Sequence, residues 1–479
     1  MEPLSLLSFT RPDPARDETL VGQIYADLRA AITGGSIPAA TKLPSSRRAA
    51  QVLGVSRNTL NTAYDLLRAE GLIEISAQRR PLVLAPSPLA ASRLASAAPM
   101  EAPNRSHQTE IDAAWSHNYR EHLFIDRNGA MSPGRPDPAL FPHDAWARAL
   151  RRATRRPFKI GPTHALPALC LELAQILSRD RGMRVEPAQI IITSGTQASL
   201  ALAALVLARA GDKVLMEDPG YMGARAAMLG ADLVSQAMPV DEEGALVPPL
   251  PDTDPARLIY LCPSNQYPSG HRLSLARRMG FIDYARQTGA ILLEDDYDSE
   301  FQWRGREIAA MHALAPDGEV IYLGTASKSL STAIHLGWMV VPPKLVQPLA
   351  QAQVNLGLCV NIQVQAAFSD WLASGEHRAH LRKISRIYAK RGGMLADQLK
   401  RRFGDKIALH RPDGGLQLTL VFKAGQDEQT ALIALHKAGF SPARLSALCI
   451  EAQMTGLVIG FADATEERIN RFCDILAGL

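Results

Sequence analysis

Cysteine is scarce and scattered in this chain. The five cysteines, Cys170, Cys262, Cys359, Cys449 and Cys473, are odd in number and never form a Cys-x-x-Cys pair. Neither a disulfide framework nor a cysteine zinc site is indicated, no metal is expected, and a reducing cytoplasm fits this usage best. Long apolar runs are missing too. The longest, Leu200 to Ala208, is cut by Arg209, far short of the ~20 residues a membrane-spanning helix needs, so no membrane partner is expected. The amino terminus, MEPLSLLSFTRPDPARDE, has no basic region ahead of its short apolar run, which argues against a secretory signal. Aromatic residues make up only 6% of the chain, yet 47% is hydrophobic and 21% charged, which excludes disorder and a collagen-like architecture. An excess of one charge is also missing. Lys and Arg number 52 against 48 Asp and Glu, and a net charge of +4 does not by itself point to a polyanionic partner.

What is present is a chain of 479 residues, enough for about two to four domains with their own cores. Composition divides it into three zones: 1–84, a linker at 85–114, and 115–479. The linker begins with APSPLAASRLASAAPMEAPNRSHQ, rich in Ala, Ser and Pro and without sustained periodicity. In the first zone Leu20, Ile24, Leu28 and Ile32 recur at helical spacing, and GlyGlySerIlePro stops that helix. A second helix starts with a Pro-Ser-Ser cap and stops at Gly54. A third is capped by the Ser56 hydroxyl and carries Leu60, Tyr64 and Leu67 on one face. The runs LIEIS (72–76) and PLVLA (81–85) read as a hairpin.

Charge is not spread evenly over these zones. Residues 28–64 contain Arg29, Lys42, Arg47, Arg48 and Arg57 and no acidic residue, so the rest of the chain sums to −1. A basic pair of helices meets the needs of duplex binding, since cations neutralise phosphates while short polar side chains read base edges. Arg57, Asn58, Thr59 and Asn61 stand at the start of the third helix, where a recognition helix meets the groove. LPSSRRAAQVLGVSRNTLNTAYDLLRAEGLI resembles the winged helix-turn-helix of the GntR superfamily. That resemblance implies DNA contacts by Ser45, Ser46, Arg47, Arg57, Asn58 and Thr59. The wing, SerAlaGlnArgArgPro, lacks the usual tip glycines, and Arg79 and Arg80 are its candidates for phosphate or minor-groove contact.

From residue 115 onward strand-like runs alternate with amphipathic helices: IIITS, KVLME, RLIYLC, AILLEDD and EVIYLG. Such alternation predicts an α/β fold, a mostly parallel sheet with helices on both faces; from about residue 375 the pattern changes to a smaller α+β lobe. Polar residues follow the strand ends, where open α/β sheets bind ligands. They are GlyThrGln at 195–197, ProSerAsnGlnTyrPro at 263–268, AspAspTyrAsp at 295–298 and ThrAlaSerLys at 325–328. Together they suit pyridoxal phosphate, which needs a lysine, an acid for its ring nitrogen, a phosphate cradle and donors to its phenolic oxygen.

SPGRPDPALFP, SGTQ, EDPGY, CPSNQYPSG, EDDYDSEF and GTASKSL resemble the fold-type I aminotransferases, and with the amino-terminal zone they resemble the MocR/GabR regulators. By that resemblance Lys328 is the Schiff-base lysine and Asp295 pairs with the pyridinium nitrogen. Tyr297 and Asn265 bond the phenolic oxygen, and Tyr221 stacks on the ring. Gly195, Thr196, Gln197, Thr325 and Ser327 hold the phosphate. The chain departs from the family in places. His335 stands where an arginine clamps the phosphate, Ile160 replaces a tyrosine and Cys170 an arginine, and no arginine lies between Arg444 and Arg468. A neutral imidazole is a poorer phosphate partner than a guanidinium fork. The resemblance implies a cytoplasmic transcriptional regulator that binds operator DNA as a head-to-tail homodimer and senses a small amine, an amino-acid-like effector or pyridoxal phosphate itself. Two other readings stay open: a working aminotransferase with an accessory DNA-binding module, and a regulator whose pocket has lost the cofactor.

Overall fold

A computed structural model describes residues 10, 12–13, 18–76, 79–84, 129–159, 161, 164–251, 253–304, 309–315, 318–423 and 427–479. The expected linker, residues 85–114, and Ile160 lie outside the described residues. The chain divides into two compact units, Met1–Thr109 and Glu110–Leu479.

The smaller unit contains helices α1 (Leu20–Thr33), α2 (Ser46–Leu53) and α3 (Arg57–Ala69), then strands β1 (Ile73–Glu74) and β2 (Leu82–Val83) paired antiparallel. The helical periodicity is the cause: Ile24, Leu28, Leu60, Tyr64 and Leu67 are buried in one core with Ile73 and Val83 of the hairpin. Gly54, in a left-handed conformation, ends α2, and the Ser56 hydroxyl accepts the Thr59 amide at 3.0 Å to start α3. Ser45 departs from expectation. It flanks α2, but its hydroxyl accepts no bond from the first turn. The stretch before α2 is instead fixed by backbone bonds to the hairpin, Val83 to Thr41 and Leu43 to Pro81.

The larger unit is built on an eight-stranded sheet of order β3-β10-β9-β8-β7-β4-β5-β6. Its strands are β3 (Ile190–Thr193), β4 (Lys213–Asp218), β5 (Val234–Asp241), β6 (Gly244–Ala245), β7 (Leu258–Leu261), β8 (Ile291–Asp295), β9 (Val320–Thr325) and β10 (Gly337–Val340). The centre is parallel, as alternation with helices requires. β3, β7 and β9 are buried along their whole length, which is why they read as unbroken apolar runs. β10 was not anticipated. It runs antiparallel between β3 and β9 and joins strands far apart in sequence.

The smaller lobe has a four-stranded antiparallel sheet of β11 (Ile407–Leu409), β12 (Gln417–Phe422), β13 (Ala443–Arg444) and β14 (Gly456–Gly460). The helices Glu376–Phe403 and Glu466–Ala477 share its core through Leu395, Leu399, Phe472 and Leu476. The carboxyl ends of β7, β8 and β9 open toward the loops that carry the polar motifs, and β12 approaches them from the lobe.

Candidate DNA-reading helix and cofactor site

In the smaller unit Ser45, Arg47, Arg48, Arg57 and Asn58 are exposed, and Ser46, Thr59 and Asn61 are half-buried. The Thr59 hydroxyl lies 2.8 Å from that of Ser56, within the cap of α3. Arg79 and Arg80 are exposed on the hairpin side. One cation of the basic stretch is neutralised by the fold. Arg29 Nε bonds Glu70 Oε2 at 2.8 Å, and the Tyr25 hydroxyl donates to the same carboxylate. Glu70 follows α3 and lies outside the acid-free window, so the pairing depends on α1 packing against α3. Lys42, Arg47, Arg48 and Arg57 remain as the exposed cations of that stretch.

In the larger unit the sequence-predicted residues fall into two groups. The first lies around the start of the helix Thr196–Leu207, with Gly195 at its N-cap. The leading amides of such a helix have no internal acceptor and favour an anion. The Thr196 hydroxyl is buried without a partner. Facing it, Thr325 at the end of β9 accepts the Ser327 amide at 3.1 Å and bonds the Ser327 hydroxyl at 3.0 Å. Gly337 on β10 lies between these two turns, paired with both Thr193 and Thr325. A β-carbon there would stand 2.7 Å from Gly195 Cα and 2.8 Å from the Gly324 carbonyl, so only glycine lets the turns converge.

Gln197, Tyr221 and His335 sit at the edge of this group. The Gln197 side chain donates to the Gly223 carbonyl at 2.8 Å. The Tyr221 ring meets Tyr267 edge-on at 5.7 Å, and Tyr267 meets Tyr297 edge-on at 6.4 Å, forming a row of rings. His335 is exposed, with left-handed backbone at φ 49°. Cys170 is a core residue of the helix Pro167–Arg181.

The second group surrounds Lys328. Asp295, at the end of β8, is buried; its Oδ2 accepts the Tyr260 hydroxyl at 2.7 Å while Oδ1 has no partner. Burial pushes its carboxyl up to about 7, against the Tyr260 hydrogen bond and the Lys328 charge. Lys328 Nζ donates to the Gly134 carbonyl at 2.6 Å and lies 5.9 Å from the centre of the Tyr297 ring. Burial lowers its pKa, and Asp298 and Asp295 oppose that shift. Asn265 Nδ2 donates to Asp298 Oδ2 at 2.8 Å, and Tyr297 donates to the Asn265 carbonyl at 3.0 Å. In this arrangement the Tyr297 oxygen accepts, and Gln417 Nε2 donates to it at 3.1 Å.

Sequence reasoning missed Tyr260, Gln417, Asp298 and Gly337. Tyr260 and Gln417 lie inside apolar strand runs, where a core role is the plain reading, and Asp298 stands in the quoted EDDYDSEF without a role of its own. A buried ion pair supports the loops from behind: Arg181 Nη2 donates to Asp296 Oδ1 at 3.1 Å with Nε 2.8 Å from Oδ2, and Asp296 also accepts from Tyr322 at 2.7 Å. Arg278, likewise buried, donates to the carbonyls of Leu273, Ala309 and Pro263.

These residues fit pyridoxal phosphate. A buried carboxylate oxygen awaits a donor at Asp295, a buried hydroxyl awaits a partner at Thr196, and the space over Gly195 is open, with nothing within 4 Å of a β-carbon built there. Among the described residues no group of three or more His, Cys, Asp or Glu could hold a metal ion, and no helix is long and apolar enough to cross a membrane.

Fold and sites define a class, a helix-turn-helix DNA-binding module joined in one chain to an aminotransferase-fold domain. Residues 20–83 match the family "Bacterial regulatory proteins, gntR family", and residues 136–476 match "Aminotransferase class I and II". The chain is 33% identical to the "Probable rhizopine catabolism regulatory protein MocR" of Rhizobium meliloti, over 94% of this chain and 91% of that one. It is 30% identical to the pyridoxine biosynthesis transcriptional regulator PdxR of Corynebacterium glutamicum, over 95% of each. Among solved structures the α-aminoadipate aminotransferase of Thermus thermophilus shares its fold at a TM-score of 0.69, with 24% identity over 78% of this chain and 97% of that one. The chain belongs to the MocR-type regulators, which join a GntR helix-turn-helix domain to an aminotransferase class I and II domain.

Proposed function

We propose that this protein is a DNA-binding transcriptional regulator whose larger unit holds pyridoxal phosphate and uses it to sense a small amine or amino-acid-like effector, or pyridoxal phosphate itself. The observation that carries the reading is the buried, half-satisfied carboxylate of Asp295 facing the same site as Lys328, in a chain that also carries an exposed basic α3 start. Lys328 would bond the cofactor, Asp295 its ring nitrogen, and Asn265 and Tyr297 its phenolic oxygen, with Tyr221 over the ring. The amides of Gly195, Thr196 and Gln197 and the hydroxyls of Thr196, Thr325 and Ser327 would take the phosphate, with His335 as a weaker substitute for a guanidinium. When bound, the group supplies an electrophilic carbon that captures amines and a visible absorption band.

In the smaller unit Ser45, Ser46, Arg47, Arg57, Asn58, Thr59 and Asn61, with Arg79 and Arg80 at the wing, would contact operator DNA. We include a head-to-tail homodimer in the reading, to be checked by sedimentation. Two relatives are named for rhizopine catabolism and for pyridoxine biosynthesis, so their names do not point to one common effector. The test is an absorption spectrum of the purified protein before and after Lys328→Ala. The reading requires a visible band in the unaltered protein that the substitution abolishes. Steady turnover of an amino donor with a keto acid would favour the aminotransferase reading instead.

A further inference from the structure

We propose that the space beside Lys328 selects a primary amine whose other polar groups are hydrogen-bond donors, an amino alcohol or a diamine, in preference to an amino acid. The inference rests on the cofactor reading above and names the effector class of that same site.

It starts from Gln417. Its side chain is buried, its Nε2 is committed to Tyr297, and its Oε1 has no partner. The orientation of the amide is fixed by chemistry: the Tyr297 proton goes to the Asn265 carbonyl, or to the cofactor's phenolic oxygen when that is bound, so toward Gln417 the tyrosine oxygen can only accept, and Gln417 must turn its NH2 toward it. The free end is therefore an acceptor. It borders the space beside the lysine, since a β-carbon built on Gly134 would stand 3.0 Å from Lys328 Nζ and 3.9 Å from Gln417 Oε1.

Asp298 adds a second acceptor on the same side. The segment Gly415–Gln417 of the small lobe lies over it: a β-carbon on Gly415, whose φ is +76°, would stand 2.8 Å from Asp298 Oδ2 and 2.4 Å from Asn265 Nδ2. Gln417 thus presents an oxygen that calls for an N–H or O–H donor, and Asp298, whose carboxyl burial pushes up to about 8, becomes a carboxylate acceptor when a cation lies beside it.

Among the described residues, a cationic anchor for a carboxylate is lacking in the corresponding places. β14 carries no arginine, and Arg444 and Arg468 are engaged with Gln429 and Asp463. Arg135 follows Gly134, but its charge is set against Asp463, which also accepts the Met131 amide at 3.1 Å. An effector carboxylate beside Gln417 Oε1 would lose its hydration without gaining a cationic donor, whereas a hydroxyl or ammonium would gain that acceptor, and an ammonium also the ionised Asp298.

The experiment titrates the full-length, cofactor-loaded protein with an amino alcohol, a diamine and an amino acid on the same four-carbon chain. Binding is read by calorimetry and by the visible band. The expected result is that the alcohol and the diamine bind at least about tenfold tighter than the amino acid, the scale of one buried charge-assisted hydrogen bond. Gln417→Leu should remove most of that preference, and Gln417→Glu should raise it for the diamine, a gain that a folding defect would not produce. Equal or tighter binding of the amino acid, absence of binding by all three probes, or a preference untouched by both Gln417 substitutions would overturn the proposal. Loss of amino-acid binding in Arg135→Ala would instead identify that arginine as a carboxylate anchor and overturn it too. A spectrum without a band dependent on Lys328 sinks the cofactor reading separately, because calorimetry reads the amine preference without it.

Discussion

At the scale of single residues the larger unit keeps several acids in its interior, and their protonation follows from burial. Glu217 is fully buried, with Oε1 unpartnered and Oε2 taking the Cys262 amide at 3.2 Å; burial pushes its pKa from the ordinary 4.5 to about 8. Between those two values the folded state binds more protons than the unfolded one, so stability falls as pH rises through that window. Glu217→Gln should flatten that decline, measured as the thermal midpoint against pH; an unchanged slope would mean that Glu217 is ionised in the fold. Tyr260 acts on Asp295 in the opposite sense, since its hydrogen bond favours the carboxylate. Tyr260→Phe should therefore weaken pyridoxal phosphate binding about three- to tenfold, more at pH ~6 than at pH ~8, because more of the acid is then neutral. An equal loss at both pH values would assign Tyr260 to packing alone.

At the scale of elements the site is assembled by strand order. Gly337 lets the turns after β3 and β9 meet, and Gly337→Ala would push a methyl group into the Gly195 backbone. The expected cost is about 1–3 kcal/mol of stability together with a weakened phosphate cradle, read from the unfolding midpoint and a cofactor titration. Arg181→Ala strands the Asp296 charge among buried groups and should cost about 3–5 kcal/mol. In the smaller unit Arg57→Ala should weaken operator binding about tenfold at fixed salt without altering the cofactor spectrum, checked by mobility shift.

These elements also mark what the sequence could and could not reveal. α1, α2, α3 and the hairpin were legible because their periodicity, caps and glycines are local signals. The parallel strands β4, β7, β8 and β9 were legible as apolar runs followed by polar turns, but β5, largely exposed or half-buried at the sheet's side, was not. β10 was not: four residues between a turn and Pro342 carry little local pattern, and their place between β3 and β9 comes from pairing distant in sequence. Tyr260 and Gln417 were hidden for a related reason, because a polar residue in an apolar strand declares its role only when its partner, Asp295 or Tyr297, is in place. The Arg29–Glu70 pair shows the same limit in the charge reading.

At the scale of the whole molecule the near-neutral total conceals a basic reader attached to a slightly acidic remainder. Length and composition are those of two units with separate tasks, and the family membership joins those tasks in one chain. For a regulator of this kind, ligand binding in one unit must alter DNA affinity in the other by a coupling factor, typically about 5–150-fold, and the coupling is reciprocal. The central claim is that Lys328 and its cofactor lie on the path from effector to operator. The measurement that tests it most directly is operator affinity at fixed salt, with and without the amine that perturbs the visible band, for the unaltered protein and for Lys328→Ala. The account requires an amine-dependent change in affinity in the former and none in the latter. An operator affinity indifferent to the amine in both proteins, or equally responsive in both, would contradict it.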